Sequence, residues 1–157
     1  MKELLASKKT TFISSINEDN TPQASYAPYV IINDKMYIYI SKVAEHYKNL
    51  ESNKNTSVMV IEDETNSPVL FARKRVTFKG EATKISQVSD DIKTKFEKIH
   101  SKNMMDVLYK MDFDFFEIKL IEGRLVEGFG KAFNLTYNSN TNDWEQEHII
   151  IDKAHNR

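Results

Sequence analysis

The sequence contains no cysteine at all. This absence excludes disulfide bonds, iron–sulfur clusters and cysteine nucleophiles. Glycine is scarce as well, with only four residues in the chain, and none of them forms a phosphate-cradling glycine-rich loop. The sequence also has no His-Glu-x-x-His zinc motif and no Gly-x-Ser-x-Gly nucleophile elbow. Together these absences exclude several common classes of enzyme.

Neither sign of charge is in excess, since 22 lysines and arginines nearly cancel 23 aspartates and glutamates. A balanced chain has no overall field that would favour nucleic acid or a membrane surface as partner. The apolar stretch after Met1 is too short for a signal peptide, and no later run approaches the length of a membrane span. We therefore expect a cytoplasmic protein whose 157 residues form one domain.

The pattern of β-branched and aromatic residues predicts about six main strands. The β-prone runs are residues 10–16, 23–32, 36–41, 57–61, 69–82, 113–121 and 125–135, with a last piece at 148–151. One helix is predicted behind Ser41 as its cap, and two more over residues 86–109 with a break around Ser101-Lys102-Asn103. Helices inserted between hairpins, rather than between every pair of strands, favour an antiparallel barrel over a Rossmann fold.

Two stretches of the predicted strands attract attention as a candidate site. Arg73 and Arg75 of the run 69–82 would share one strand face with Lys74 on the other, which indicates either an anion site or a solvated surface. A tight reversal is predicted at residues 122–124. Gly128-Phe129-Gly130 would then lie inside the next strand, where glycine is expected only if the backbone bends or something approaches it closely.

The four histidines are scattered, so a multi-histidine metal site is not expected. His46 is interpreted as a hydrogen-bonded residue in the first turns of a helix, and His100 as a residue at a helix end. His148 is placed at a strand edge. His155 stands in the terminal tail, where the sequence alone gives little reason for a ligand role.

Three segments together resemble the HugZ family of haem-degrading split-barrel proteins, and the resemblance spans nearly the whole chain. They are Ser25-Tyr26-Ala27-Pro28 leading to Val43-Ala44-Glu45-His46, then residues 72–79 (ARKRVTFK), and finally residues 122–133 (EGRLVEGFGKAF). Their order and their separations match as well. The resemblance implies a six-stranded antiparallel split β-barrel of the FMN-binding type, with residues 1–157 as a single domain ending in a haem-binding tail.

The resemblance also implies a haem bound at a homodimer interface. The family's tail histidine is followed by asparagine and maps onto His155, which becomes the axial iron ligand with His148 as the fallback. The family's arginine near the opposite face of the iron maps onto Arg75. The remaining haem- or cofactor-contacting residues would be Arg73, Gly128, Phe129, Gly130, Lys131 and His46, with Arg73 or Lys131 as propionate partners.

The activity implied in this way is degradation of haem with O2 to a biliverdin-type product, CO and iron, using an unidentified electron donor. One alternative keeps the fold and replaces haem with FMN, as in pyridoxamine phosphate oxidases, with Arg73, Arg75 and Lys42 at the phosphate. Another is a haem-storage or haem-transfer protein that binds without turnover. The sequence does not separate these three.

Overall fold

Eight strands and four α-helices make up residues 1–150, the part of the chain described by this computed structural model. The strands are β1 (Thr10–Ile16), β2 (Pro22–Ile32), β3 (Lys35–Ser41), β4 (Asn55–Ile61), β5 (Arg75–Lys84), β6 (Phe113–Gly128), β7 (Lys131–Asn138) and β8 (Asp143–His148). The helices are α1 (Lys2–Ser7), α2 (Glu45–Ser52), α3 (Asp90–His100) and α4 (Lys102–Leu108), and two 3-10 turns lie at Glu64–Asn66 and Leu70–Ala72.

The first six strands form a closed antiparallel barrel. They pair in the order β3-β2-β1-β4-β5-β6, and a further pairing of β3 with β6 closes the sheet. Closure removes the open edges that a flat sheet of this size would expose. The predicted six-stranded antiparallel barrel is therefore confirmed. Strands β7 and β8 extend the sheet beyond β6 as a hairpin.

Alternation along the strands separates a packed inner side from an outward side. In β5, Val76 and Phe78 are buried, whereas Arg75 and Thr77, which alternate with them, are only partly buried. The same alternation in β1 buries Ile13 and exposes Phe12. Since successive side chains of a strand point to opposite faces, the inward set fills the barrel and the outward set is free for other contacts.

A second core lies where α3 and α4 cover part of the barrel's outer surface. Ile92 and Phe96 of α3 pack with Met105 of α4 against Tyr39 and Phe115 of the barrel. The predicted break between these helices is confirmed at Ser101, whose φ is +79° and whose hydroxyl accepts a hydrogen bond from the Met104 backbone N–H. The helices therefore occupy one region of the outer surface, and the outward side of β4 and β5 lies elsewhere on the barrel.

The predicted strand over residues 69–82 is wrong at its start. Leu70–Ala72 form a 3-10 turn, and β5 begins only at Arg75, so Arg73 is not on the strand and does not share a strand face with Arg75. Val69, Leu70 and Phe71 are apolar but exposed. Hydrophobic content misled the prediction here, because it indicated burial in a sheet that these residues do not join.

The predicted reversal at residues 122–124 is also wrong, because β6 runs unbroken from Phe113 to Gly128. Gly123 lies inside that strand, and a Cβ there would come within 2.6 Å of the Phe78 ring. The chain reverses instead at Phe129 and Gly130, between β6 and β7. Gly128-Phe129-Gly130 thus comprises the last residue of β6 and the turn to β7, and not the interior of a strand.

Further differences concern ends of elements. Ser41 does not cap a helix but ends β3 opposite Phe113, and α2 begins only at Glu45. The last β-prone piece at 148–151 is displaced, since β8 ends at His148. The N-terminal helix α1 was not predicted, although it buries Leu4 and Leu5. Strand β5 contains an irregularity at Gly80, where its pairing with β6 shifts in register between Lys79 and Gly80. No helix within residues 1–150 combines the length and apolarity needed to cross a membrane.

Candidate ligand-binding face

Arg75 lies at the centre of an outward face built by four neighbouring strands. It stands opposite Ile61 of β4 and Val126 of β6, and Val126 in turn stands opposite Ala132 of β7. Residues opposite one another in an antiparallel sheet point to the same side. These four side chains therefore form one row across the sheet, which we call the Arg75 row.

A second row runs beside the Arg75 row on the same face. It joins Met59, Thr77, Arg124 and Asn134. Arg124 falls in a turn in the sequence-based prediction and was missed as a site residue. Once β6 is continuous, its position next to buried Leu125 places it outward, so the alternation over residues 123–126, beyond the bulge at Ile121, is the signal that identifies it.

Both arginines of this face lack an acidic partner among residues 1–150, where no carboxylate lies within ion-pair distance of either one. The Arg75 Nη1 donates a hydrogen bond of 2.9 Å to the backbone oxygen of Arg73, which fixes the guanidinium without neutralising it. Arg124 is exposed. Guanidinium groups with free donors are suited to bind carboxylates or a developing negative charge.

Arg73 is committed to the loop that precedes β5. Its Nε donates to the Glu62 backbone oxygen at 2.5 Å, and its Nη1 lies 3.3 Å from a Glu64 carboxylate oxygen. These contacts hold the chain in the turn that places Leu70 and Phe71. The side chain of Arg73 therefore stabilises the loop, and its backbone oxygen accepts the hydrogen bond that orients Arg75.

The β6–β7 turn closes one side of the face. Gly130 has a φ of +66°, in the left-handed region that favours glycine, and a Cβ at Gly128 or Gly130 would meet nothing within 4 Å in this chain. Phe129 between them is 72% exposed, and Lys131 begins β7 beyond the turn. The glycines are thus explained by the turn, and the space beside them is open.

Exposed apolar side chains gather at the same end of the face. Phe71 is 89% exposed, and Leu70 is exposed beside it in the turn that contacts β6. Ile150, where the described chain ends, is also exposed. The Ile149 N–H donates to the oxygen of Ala132, which belongs to the Arg75 row. Cations and solvent-facing apolar groups therefore lie side by side here.

The structure does not bring His46 to this face. Its Nδ1 lies 2.9 Å from the Ser25 hydroxyl. Ser25 alternates with outward-facing Tyr26 along β2 and so points to the other side of the sheet. Burial lowers the pKa of His46, which favours the neutral imidazole.

His148 also lies away from the Arg75 row. It stands opposite Phe133, the residue next to Ala132. The pair Phe133 and His148 therefore points to the opposite side of the sheet from the pair Val126 and Ala132. Its Nε2 is 2.8 Å from the Gly130 oxygen, and its ring packs on Phe133. His155, the histidine implied by the family resemblance, lies outside the described residues.

The composition of the face restricts what it can hold. Among residues 1–150 no group of three or more histidines and carboxylates is arranged around a possible metal ion, so a protein-only metal cage is not available there. A flat apolar molecule with anionic groups fits better, because Phe71 and Phe129 offer apolar contact while Arg75 and Arg124 offer positive charge. Haem has this character, with a planar apolar macrocycle and two carboxylates.

Comparison with known proteins gives consistent relatives. The family model described as pyridoxamine 5'-phosphate oxidase matches residues 1–127. Haem oxygenase HutZ from Vibrio cholerae is 34% identical over 144 residues, which cover 87% of this chain and 79% of HutZ. The crystal structure of Campylobacter jejuni ChuZ superimposes with a TM-score of 0.81 at 29% identity, covering 94% of this chain and 60% of that one. This chain thus spans less than two thirds of ChuZ.

A crystal structure of Vibrio cholerae HutZ, described there as a haem storage protein, superimposes with a TM-score of 0.71 at 32% identity. It covers 76% of this chain and 86% of the HutZ chain. The two descriptions of HutZ, as oxygenase and as storage protein, name the same ligand but differ on turnover.

Proposed function

This chain belongs to the pyridoxamine 5'-phosphate oxidase family and, within it, to the haem-utilisation proteins of the HugZ type, and from that premise we propose that it binds haem on the side of the sheet that carries the Arg75 row and degrades it with O2. The observation that carries the proposal is the position of Arg75, a cation without an acidic partner in the described chain, between exposed apolar side chains. Exposed apolar groups bordered by polar side chains are typical of a ligand or partner site.

Haem, when bound, supplies the iron and the macrocycle whose own meso carbon is oxidised, and ring opening yields a biliverdin-type product, CO and iron. O2 and electrons from an unidentified donor are the co-reactants. The protein's part is to orient the reactants and to keep water from the reacting face.

Arg75 is proposed as the catalytic residue. Its guanidinium is fixed by the hydrogen bond to the Arg73 oxygen and so needs little reorganisation to donate to O2. A fixed donor of this kind stabilises negative charge as it develops on oxygen. Lys131, beyond the glycine turn, and Arg124 are the proposed carboxylate partners, whereas Arg73 is already engaged by Glu62 and Glu64.

His155 is proposed as the residue that would hold the haem iron, through a neutral imidazole. It lies five positions after Ile150 in the sequence, and five steps of chain can span at most about 17 Å. Ile149 already bonds to Ala132 in the Arg75 row, and Ala132 lies about 10 Å from Arg75 across two strand spacings. The reach is therefore sufficient. His148 is the weaker candidate because it points away from this row.

A homodimer is proposed to complete the site. Phe12 and Tyr26 stand opposite each other on the same outward side as the Arg75 row, and they are 54% and 64% exposed. Aromatic pairs of this kind are typical of interfaces. We expect sedimentation at micromolar concentration to give about twice the monomer mass of 18.3 kDa, and a pure monomer with and without haem would contradict a shared site.

The decisive experiment adds haem to the purified protein and records the absorption spectrum. A Soret band at one haem per chain supports the proposal, whereas retention of FMN with yellow flavin bands and no saturable haem binding supports the oxidase alternative. Addition of a reductant and O2, with catalase present to remove free peroxide, then separates degradation from storage. Loss of the Soret band together with release of CO and iron supports turnover. A stable Soret band leaves a haem-storage or haem-transfer protein.

A further inference from the structure

A cavity of about 630 Å³ opens on a different part of the molecule. It lies between helix α1, helix α3 and strand β2, and Leu120 and Trp144 complete its wall. Its volume falls in the range of small-molecule sites. Leu120 lies six residues before Val126 along β6, so about 20 Å of strand separates Leu120 from the Arg75 row.

Most of the wall of this cavity is apolar. Leu5, Tyr29, Ile99, Leu120 and Trp144 all contribute to it. The Tyr29 hydroxyl does not offer a free polar group to a ligand, because it donates to the Leu5 backbone oxygen at 2.6 Å and so joins α1 to β2. A flexible hydrocarbon chain suits a wall of this composition.

The rim of the cavity carries an excess of positive charge. Five lysines line the cavity, and the single acidic residue in the lining is Asp34. Lys2 pairs with Asp143 and Asp34, and Lys8 pairs with Asp63.

The remaining three lysines, Lys9, Lys95 and Lys98, form no ion pair with any carboxylate among residues 1–150. They approach from two elements, since Lys9 follows α1 whereas Lys95 and Lys98 lie one turn apart on α3. Such an arrangement can hold a compact anionic head group over an apolar cavity.

We infer that this cavity is a binding site for a long-chain carboxylate, separate from the haem face. The hydrocarbon chain would lie against Leu5, Ile99 and Trp144, and the carboxylate would lie among Lys9, Lys95 and Lys98. Charge complementarity favours the acid over a neutral amphiphile of equal length, because only the acid compensates the lysines.

Trp144 provides a local probe, because it is the only tryptophan of the chain and lines the cavity. We would titrate the full chain with dodecanoate below its micellar concentration, follow Trp144 emission and measure stoichiometry by equilibrium dialysis. We expect saturation at one dodecanoate per chain, binding that weakens with added salt, and clearly weaker binding of dodecanol.

The double variant Lys95→Glu/Lys98→Glu should weaken dodecanoate binding by about tenfold. Lys93→Glu/Lys110→Glu is the matched control, since it changes the net charge equally at exposed lysines outside the cavity. We expect the control to bind as the wild type does, and both variants to keep the wild-type haem spectrum. Absence of saturable dodecanoate binding, equal binding of dodecanol, or an equal loss in both double variants would overturn the inference.

Discussion

The two sides of strand β5 differ in burial and in the contacts that their side chains make. On the inner side, Val76 and Phe78 are almost completely buried, and Gly123 on the neighbouring strand leaves room for the Phe78 ring. On the outer side, Arg75 and Thr77 are only partly buried and lie on the same side of the sheet as exposed apolar groups. The inner side is fully explained by the fold of one chain, whereas the outer side is not.

The two sides therefore differ in role, because the inner residues stabilise the barrel whereas the outer residues are proposed to contact a ligand. Burial of an aromatic ring in the barrel stabilises the folded chain. A partly exposed cation without an acidic partner contributes little to stability. Changes on the inner side should therefore reduce stability, and changes on the outer side should alter ligand chemistry while the fold persists.

The largest effect is expected on the inner side. Phe78 is 1% exposed, so Phe78→Ala should lower the free energy of unfolding by about 3 to 5 kcal/mol through lost burial and the cavity that remains. Its neighbour supplies the control, because Thr77→Ala on the outer side should cost much less. Urea denaturation measures both. Similar losses in the two variants would contradict the separation of the two sides.

The next effect belongs to the outer side. Arg75→Ala should leave the urea midpoint and haem binding close to wild type but slow haem degradation by an amount equivalent to about 2 to 4 kcal/mol, as for other oxyanion donors. Arg75→Lys should restore only part of the rate, because lysine lacks the fixed planar donors. Lys79→Ala, further along β5, serves as the control. Degradation at the wild-type rate in Arg75→Ala would assign Arg75 to the surface.

The inner side of the barrel was largely predictable from the sequence, because burial imposes a period of two. Strand β1 was predicted with its observed limits, 10–16. The outer side was less predictable. Leu70 and Phe71 were assigned to a strand because they are apolar, and Arg124 was assigned to a turn because Gly123 precedes it. For Arg124 the deciding contact is tertiary, since the space beside Gly123 is filled by Phe78 from another strand.

The two candidate iron ligands, His155 and His148, could not be distinguished from the sequence pattern for a related reason. The family resemblance selected Arg75 and His155, and the alternation of β7 and β8 then separated His148 from the Arg75 row. Local pattern could not make that distinction, because it depends on which residue of β7 stands opposite His148. The fold prediction therefore needed only the hydrophobic pattern, whereas the assignment of site residues also required the register of the last hairpin.

A smaller effect should distinguish these two histidines. His155→Ala should shift the ferric Soret band and weaken haem binding at least about tenfold without changing the urea midpoint. His148→Ala should leave the spectrum unchanged, since its imidazole is bonded to the Gly130 oxygen on the other side of the hairpin. A shift in His148→Ala alone would transfer the ligand role and place haem on the opposite face. An unchanged spectrum in both variants would favour FMN.

The smallest effect is on the pH dependence of stability. It concerns His46, which does not lie on the side of the sheet that carries the Arg75 row. Burial lowers its pKa below the value of about 6.5 that it has in the unfolded chain. As pH falls through about 6.5 the unfolded chain therefore takes up a proton that the folded chain resists, so stability decreases until His46 is protonated in the folded chain as well. His46→Asn keeps a donor near the Ser25 hydroxyl but does not titrate. The difference between urea midpoints at pH 7.5 and pH 5.5 should therefore be smaller in His46→Asn than in wild type, with the haem spectrum unchanged. An equal difference in both proteins would show that the pKa of His46 does not fall on folding, which would contradict its burial.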